Sequence, residues 1–402
     1  MDKTVQELDV TDKALHERWQ RVREDFWGDI KQEALRAVQR LLETTMDIEL
    51  QDMIGAQRYE HVASRRNRRN GCYYRGLLTS LGWMGQLRVP RLRTGRVFWK
   101  SLKAYKRRSN DVDQGILEMF LAGVSTRRVQ EVLHPLMGSQ SVSASTVSEI
   151  SKVLDAQVQA FHRRPLLDTY RYLILDGVYL KAKSPASVKR RCILVVYGLR
   201  TDGIRELIDF QLAGGGESQS AWERFLTRLK DRGLQGQAAH LAVVDGNKGC
   251  WNALDLVFPE LPRQRCWAHK LRNVANHVPR RLLKPVMIQA AQLYNATSYG
   301  HALKRFKTWK KLWAPIIPEA VDCLERDLES LLVFYKVCPQ KLWVKLRTTN
   351  IIERVFREVR RRIRPMSCFE NTDSVERIVF AIFHRQNNLW KDKPLMEFTQ
   401  KS

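Results

Sequence analysis

Three consecutive runs of apolar and β-branched residues constrain the fold of this chain more than any other feature. They are rich in Val, Ile, Leu and Tyr, and turn-forming residues separate them. They predict an antiparallel meander of strands at residues 172–180, 191–199 and 204–212. Helical and strand patterns then alternate, with a helix near 218–231, a strand at 240–245, a helix at 248–257, a short strand at 264–267 and a helix at 268–277. Crossovers of this kind place the later strands parallel to the first strand, which becomes central.

This order of elements is that of a ribonuclease-H-like core in an α/β protein, and it positions two aspartates. Asp176 projects from the middle of the first strand, and Asp245 closes the parallel strand beside it. The two carboxylates are therefore expected to converge at one edge of the sheet. Glu353 lies further along the chain, near the start of an arginine-rich helix.

These three carboxylates are candidate ligands for Mg²⁺ or Mn²⁺. Burying a carboxylate costs free energy unless a cation or a donor compensates it. Magnesium prefers oxygen ligands, and a pair of such ions can promote in-line displacement at a phosphodiester. Each residue alone has a simpler explanation: Asp176 and Asp245 precede glycine and would be turn residues, and Glu353 would pair with Arg357 on a helix surface. Their order on two strands and a helix favours the catalytic interpretation.

The charge balance indicates a polyanionic partner. The 402 residues include 69 Lys and Arg against 43 Asp and Glu, a formal net charge of +26, which favours nucleic acid. A membrane surface is the alternative, but no apolar run reaches about 18 residues, so no spanning helix is expected. The seven cysteines are odd in number and scattered, which predicts reduced thiols in the cytoplasm or at the nucleoid rather than a disulfide framework.

The first part of the chain is predicted to be helical and then strongly basic. Residues 1–57 are rich in helix formers, and an amphipathic helix from Ile30 to Leu42, with Leu41 in its apolar stripe, is expected to pack on this chain or on a second protomer. Residues 58–110 hold 15 Lys or Arg, one acid and interleaved aromatic residues. They are predicted to form a basic DNA-binding arm or small β-unit.

Residues 111–164 are predicted to form a helix-turn-helix-like DNA-binding domain. Two short helices come first, and a third is expected near 145–161. A helical bundle without DNA contact is the alternative, and the basic segment before it favours DNA binding.

The catalytic core is predicted to be discontinuous. The spacing of 108 positions from Asp245 to Glu353 is too long for a plain crossover between neighbouring elements. Residues 280–345 are therefore interpreted as a helical insertion in a core made of residues 165–279 plus 346–395.

A basic face on the helix that carries Glu353 is expected to grip the phosphates of the scissile strand, with a solvated surface helix as the alternative. Together with the basic N-terminal segments, it supplies the arginines expected to contact DNA: Arg65, Arg66, Arg68, Arg69, Arg75, Arg91, Arg93, Arg127, Arg128, Arg357, Arg360 and Arg361.

Cys266 and His269 form a Cys-x-x-His pair, which supplies half of a tetrahedral zinc site. No second pair of similar spacing accompanies it. A buried thiol and a hydrogen-bonded histidine that brace the core are therefore the favoured interpretation.

In their order and spacing these motifs resemble those of the Mutator-type insertion-sequence transposases of bacteria, over roughly residues 50–390. The strings that carry the resemblance are Arg69-Asn70-Gly71 with Arg75 and Thr79, Val89-Pro90-Arg91, Gly123-Val124-Ser125-Thr126-Arg127, Leu175-Asp176-Gly177, Val244-Asp245-Gly246, Gln264-Arg265-Cys266-Trp267-Ala268-His269-Lys270 with Arg272-Asn273-Val274, and Thr348-Thr349-Asn350 through Glu353 to Arg360-Arg361-Arg362.

The resemblance implies a DDE transposase with a ribonuclease-H-like core and a helical insertion after the second aspartate. It assigns Asp176, Asp245 and Glu353 to the family's triad, and Cys266 and His269 to its Cys-x-x-His signature. It also implies Mg²⁺ or Mn²⁺ as cofactor, and a homodimer or higher homo-oligomer that acts on double-stranded DNA, namely terminal inverted repeats and target DNA. Two alternatives stay open: a catalytically silent DNA-binding regulator derived from a transposase, and a metal-dependent nuclease without strand transfer.

Overall fold

The fold is described by a computed structural model for residues 26–102, 107–122, 124, 126–137, 142–184, 187–363 and 372–396. Contacts divide the chain into two compact units. The N-terminal unit draws on Met1–Phe120 and Ser125–Ile150, and the C-terminal unit draws on Leu121–Val124 and Ser151–Ser402. Whether the segments predicted from the sequence act as separate domains stays a prediction.

A long helix packed on a β-hairpin forms the core of the N-terminal unit. Helix α1 runs Phe26–Ile54, and strands β1 (Arg69–Thr79) and β2 (Gly82–Leu92) pair antiparallel. An isolated hairpin is marginally stable in water, so this one depends on the apolar side of the helix. The contact joins Leu35, Val38, Leu42 and Met46 of the helix to Leu77, Met84, Leu87 and Val89 of the hairpin.

The buried stripe of α1 differs from the predicted one. Ile30 and Leu41 are 42% and 67% exposed, so their assignment to the apolar stripe is wrong. The helix continues to Ile54. Its covered side carries Leu50 and Ile54, which are fully buried. The partner of the helix is thus this chain's own hairpin, and residues 69–92 form the small β-unit rather than an extended arm.

Four short helices follow the hairpin: α2 (Asn110–Leu121), α3 (Thr126–Met137), α4 (Ala144–Ser151) and α5 (Val153–Arg163). The helix predicted near 145–161 is present as two pieces, α4 and α5, which meet at Lys152, a residue whose own backbone angles are helical. The two pieces bury their apolar sides in different units: α4 ends the N-terminal unit, whereas Phe161 of α5 stacks edge-on against Phe380 in the C-terminal unit. Gly123 and Ser125 lie outside the described residues.

The C-terminal unit is built on a mixed five-stranded sheet in the order β5-β4-β3-β6-β7. The three predicted meander strands are confirmed as β3 (Tyr170–Ser184), β4 (Ser187–Arg200) and β5 (Arg205–Ala213), all antiparallel, and the first two are longer than expected. The alternating helices and strands are confirmed as α6 (Gln219–Asp231), β6 (Leu241–Val244), α7 (Lys248–Val257), β7 (Arg263–Arg265) and α8 (Trp267–Ala275). Strands β6 and β7 run parallel to β3, which is central as predicted.

Both faces of the sheet are covered, which explains why its strands are apolar along their length. On one face, Leu173 and Leu175 of β3 pack in a cluster with Trp222 and Phe225 of α6 and Leu254 of α7. Because side chains alternate along a strand, Ile174 and Asp176 belong to the opposite face. That face is covered in part by helix α5 and by a C-terminal helix, whose Phe383 packs edge-on against Phe210 of β5.

Residues 280–345 are helical, as predicted. Gln264 of β7 fixes these helices to the sheet: its amide nitrogen donates to the Leu331 carbonyl at 2.7 Å, and its amide oxygen accepts from the Phe334 amide at 3.0 Å. The helices are α9 (Leu283–Tyr294), α10 (Tyr299–Trp313), α11 (Pro318–Glu325), α12 (Leu328–Leu331), α13 (Phe334–Val337) and α14 (Trp343–Leu346).

Two long helices complete the chain, α15 (Asn350–Ile363) and α16 (Thr372–Trp390). Across the described ranges, no helix is both long and apolar enough to cross a membrane. The six cysteines in those ranges are unpaired thiols.

Candidate active site

Asp176 and Asp245 lie at the same level of two neighbouring parallel strands. Leu175 of β3 is in register with Val244 of β6, and each aspartate is the next residue along its strand direction. Asp176 is only 4% exposed. The convergence expected from the topology is therefore present in the structure, at the central position of the sheet.

The turn after β6 fixes the Asp245 carboxylate. The Asn247 amide donates to Asp245 Oδ1 at 2.7 Å, and the Asn247 side chain caps α7 by accepting from the Cys250 amide at 3.1 Å. Gly246 has φ +97°, a conformation that side chains rarely adopt. Asp245 thus has the turn role considered as its simpler explanation, and it also presents a carboxylate beside Asp176.

Glu353 reaches the site from the first turn of α15. Its Oε1 atom lies 3.7 Å from His269 Nε2 and 3.4 Å from an Arg272 guanidinium nitrogen, and both partners belong to α8. Arg272 is its ion-pair partner within the described part of the chain, and the surface pair with Arg357 that was considered as its simpler explanation is not formed there. Burial lowers the pKa of the His269 imidazole below its ordinary value. The charge of Asp245 acts in the opposite direction but is the smaller effect.

Thr349 connects the Cys-x-x-His pair to the start of α15. It is fully buried, its amide donates to Cys266 Sγ at 3.3 Å, and its hydroxyl lies 3.4 Å from His269 Nδ1. Burial raises the pKa of the Cys266 thiol. Cys266 and His269 therefore brace the start of α15, which agrees with the interpretation favoured from the sequence.

The carboxylate of Asp176 and the carboxylates near it repel one another. Burial raises the pKa of Asp176 well above its ordinary value, and the charges of Asp245, Glu217 and Glu353 raise it further, while a hydrogen bond from Thr349 opposes them. A buried carboxyl group among like charges favours its protonated form unless a cation is present.

Glu217 is the site residue that sequence reasoning missed. It is half-buried in the loop before α6, where Trp222 Nε1 donates to its Oε1 at 3.1 Å. Burial, then the charge of Asp245, raises its pKa to about 7. A Cβ atom at Gly177 would lie 2.5 Å from the Glu217 carboxyl carbon, so only glycine at 177 leaves room for this group. The sequence offered one signal for this residue, which is its position after three glycines and before a serine that caps a helix.

The donor chemistry of the site fits a divalent metal ion. No Lys, Arg or His nitrogen of the described residues lies within 4.0 Å of the Asp176, Asp245 or Glu217 carboxylate oxygens. Buried charges are normally paired or coordinate metals, and hard divalent cations prefer carboxylate oxygen. Among the described residues, no group of three His, Cys, Asp or Glu is close enough to hold an ion. Glu353 is turned to His269 and Arg272, and Glu217 does not complete a group of three with the two aspartates either.

Six of the predicted DNA-contact arginines of the N-terminal unit line two open grooves. One groove, of about 620 Å³, is lined by Arg65, Arg66, Arg68 and Arg93. The other, of about 660 Å³, is lined by Arg75 and Arg91 together with aromatic side chains, and the Arg91 guanidinium stacks 4.7 Å from the centre of the Tyr73 ring. Arg69 lies 3.7 Å from Asp47 of α1, so an acid of the same chain already offsets part of its charge.

The remaining predicted contacts lie on helices. Arg357, Arg360 and Arg361 are exposed on α15, and Arg361 also pairs with Glu358 at 2.9 Å. Arg128 is exposed on α3, and the side chain of Arg127 lies outside the described residues. DNA contact by all of these arginines stays a prediction.

Comparison with known proteins now adds to this geometry. The family model for Mutator family transposases matches residues 10–393 of this chain. The transposase for insertion sequence element ISRM5 of Rhizobium meliloti (strain 1021) is 34% identical over 361 residues, covering 90% of this chain and 89% of that protein. The transposase for insertion sequence element IS256 in transposon Tn4001 of Staphylococcus aureus is 31% identical, covering 86% of this chain and 87% of that protein.

The fold and the site define a class of protein: a basic, mixed α/β protein with carboxylates gathered around the central strand of its sheet. The chain belongs to the Mutator family of transposases, which confirms the resemblance seen in its motifs. Among solved structures, the Drosophila P element transposase strand transfer complex matches with a TM-score of 0.30 and 11% identity, covering 69% of this chain and 79% of that chain. A match at this level carries no argument about the fold.

Proposed function

We propose that this transposase is of the DDE type, with a ribonuclease-H-like core in which Asp176, Asp245 and Glu353 hold Mg²⁺ or Mn²⁺. It binds the terminal inverted repeats of its own mobile element, cuts there and joins the ends to target DNA, as a homodimer or higher homo-oligomer. The observation that carries the proposal is the pair of aspartates on neighbouring parallel strands, with Asp176 buried, Asp245 half-buried and no described cation within 4.0 Å of either carboxylate.

Each residue of the site has a defined task in this proposal. Bound divalent metal would supply charge stabilisation for the attacking and leaving oxygens of an in-line displacement. Asp176 and Asp245 provide oxygen ligands from the rigid sheet. Glu353 completes the set from α15, which requires its carboxylate to leave Arg272 and turn toward the aspartates.

The reaction has two displacements at one site. Water first cleaves a phosphodiester at the element end and leaves a 3′-hydroxyl group. That hydroxyl then attacks a phosphodiester of the target, which forms a new bond and releases the other target strand end. Exposed Arg357 and Arg360, on the helix that carries Glu353, are placed to neutralise phosphates beside the reacting bond.

The test uses the protein with labelled duplexes that carry the inverted repeats flanking its gene, in Mg²⁺. Nicked and joined products support the transposase, nicks without joining indicate the nuclease, and binding without either indicates the regulator. We expect Asp176→Asn to abolish both products and to keep DNA binding, because it removes a ligand and not a phosphate contact. Asp231→Asn, an exposed acid at the end of α6, is the control and should keep both products. Wild-type joining by Asp176→Asn would show the triad to be misassigned.

A further inference from the structure

Glu217 occupies a position that the rest of the chain is built to accommodate. Strand β3 carries glycine beside Asp176, and the space a Cβ would fill at Gly177 holds the Glu217 carboxyl group. Ser218, the next residue, caps α6 by accepting from the Ala221 amide at 3.2 Å, which fixes the backbone from which Glu217 projects. The position of the carboxylate is therefore set by two separate elements of the fold.

The second feature of Glu217 is that its charge is not compensated. Trp222 Nε1 donates to Oε1, and no described cation lies within 4.0 Å of the carboxylate. Two carboxylates are among its electrostatic neighbours: the charge of Asp245 raises the pKa of Glu217, and the charge of Glu217 raises that of Asp176. The other groups on which Glu217 acts are uncharged side chains, those of Tyr179, Cys192 and Cys250. Glu353 differs, because Arg272 and His269 already pair with it. An uncompensated carboxylate held against two others is unfavourable in a metal-free protein.

We propose that Glu217 is a fourth carboxylate ligand of the metal site, which it reaches from the Gly177 side of β3. This inference rests on the proposed function, since it extends the metal site formed by Asp176, Asp245 and Glu353. Hard divalent cations take several oxygen ligands, and a half-buried carboxylate adjoining Asp245 is suited to add one.

The competing explanation is that Glu217 only accepts the hydrogen bond of Trp222. A neutral glutamine supplies the same acceptor without charge. Glu217→Gln therefore separates the two roles, because it keeps the shape and the Trp222 bond and removes only the negative charge. The acceptor role alone leaves the glycine at 177 and the proximity to Asp245 unexplained.

The experiment measures Mn²⁺ binding to the full chain by calorimetry, and thermal unfolding in EDTA and in Mn²⁺, without DNA. We expect Glu217→Gln to weaken Mn²⁺ binding about tenfold or more and to reduce the Mn²⁺-induced rise in Tm. In EDTA its Tm should equal or exceed that of the wild type, because one of the repelling charges is gone. Glu260→Gln, an exposed acid of the same unit, is the matched control and should behave as wild type.

Gly177→Ala provides a second route to the same result. Its methyl group would displace the end of a flexible side chain, so we expect the protein to fold with the Glu217 carboxylate moved away and Mn²⁺ binding weakened. Wild-type Mn²⁺ affinity in Glu217→Gln, with affinity lost in Asp176→Asn, would overturn this inference and leave the proposed function intact. Wild-type affinity in both variants would overturn both.

Discussion

Asp327 fixes the helical segment 280–345 to strand β7 and helix α8. Its carboxylate forms an ion pair with Lys270 of α8, whose side chain is only 4% exposed, and lies 2.8 Å from an Arg265 guanidinium nitrogen. One acid from the segment therefore serves two cations of the core. Asp327→Asn leaves the buried ammonium group without a counter-ion, whereas an exposed pair would lose little.

The expected loss follows from the burial of this cluster. Removing one partner of a buried pair costs about 3–5 kcal/mol. For a unit of this size, a Tm falls by about 2–4 °C per kcal/mol, so we expect the midpoint to drop by roughly 6–20 °C. Far-UV circular dichroism of the purified variant at pH 7 in EDTA measures this drop. Glu329→Gln, an exposed acid two positions along the chain, is the control and should leave the midpoint unchanged.

A double variant checks the cause of the drop. Replacing both partners by apolar residues, Lys270→Met with Asp327→Leu, removes the unpaired charge and should recover much of the lost stability. A midpoint for Asp327→Asn within about 1 °C of the wild type would refute the argument that this carboxylate compensates a buried charge. A double variant less stable than Asp327→Asn would also contradict it.

Three further outcomes are expected. The pKa of Glu217 is raised from 4.5 to about 7, so the folded metal-free protein holds this proton more tightly than the unfolded chain does. Its free energy of unfolding should therefore fall by up to about 3 kcal/mol as pH rises from about 4.5 to about 7. Urea unfolding in EDTA measures this fall, which should be smaller in Glu217→Gln. Gly246→Ala forces a side chain into φ +97° and should cost about 1–3 kcal/mol by the same assay, while Gly300→Ala, which meets open space, should not destabilise. Arg66→Ala and Arg93→Ala should each lower the slope of log affinity for DNA against log salt by about 1, with a slope like wild type excluding a phosphate contact.

The strands and helices of the C-terminal unit were predictable because each carries its own pattern. The meander runs are apolar and bounded by turn residues, and α7 follows an asparagine that caps it, so their limits are local properties of the chain. The adjacency of Asp176 and Asp245 followed from topology, since parallel strands end at one edge. The order of elements grouped Glu353 with the two aspartates, but its position beside α8 depends on a contact across the helical segment that no local pattern specifies.

The features that sequence reasoning missed depend on packing between distant segments. Glu217 stands in a glycine-rich loop that resembles an ordinary turn, and its place in the site depends on the absence of a side chain at Gly177. The division between α4 and α5 at Lys152 lies beside the boundary between the two units, which falls between Ile150 and Ser151. Leu41 has the spacing of a buried residue, but the hairpin covers the other side of the helix. Of these three, only Glu217 leaves a local signal in the sequence, which is its position between three glycines and a serine N-cap.

The central claim is that Asp176, Asp245 and Glu353 share a divalent metal ion, and anomalous diffraction tests it most directly. A crystal of the full chain with Mn²⁺ and a DNA end should show manganese about 2 Å from carboxylate oxygens of Asp176 and Asp245, with Glu353 turned toward it and away from Arg272. Manganese bound elsewhere, or an unoccupied edge of the sheet at saturating Mn²⁺ with Glu353 still on Arg272, would contradict the account.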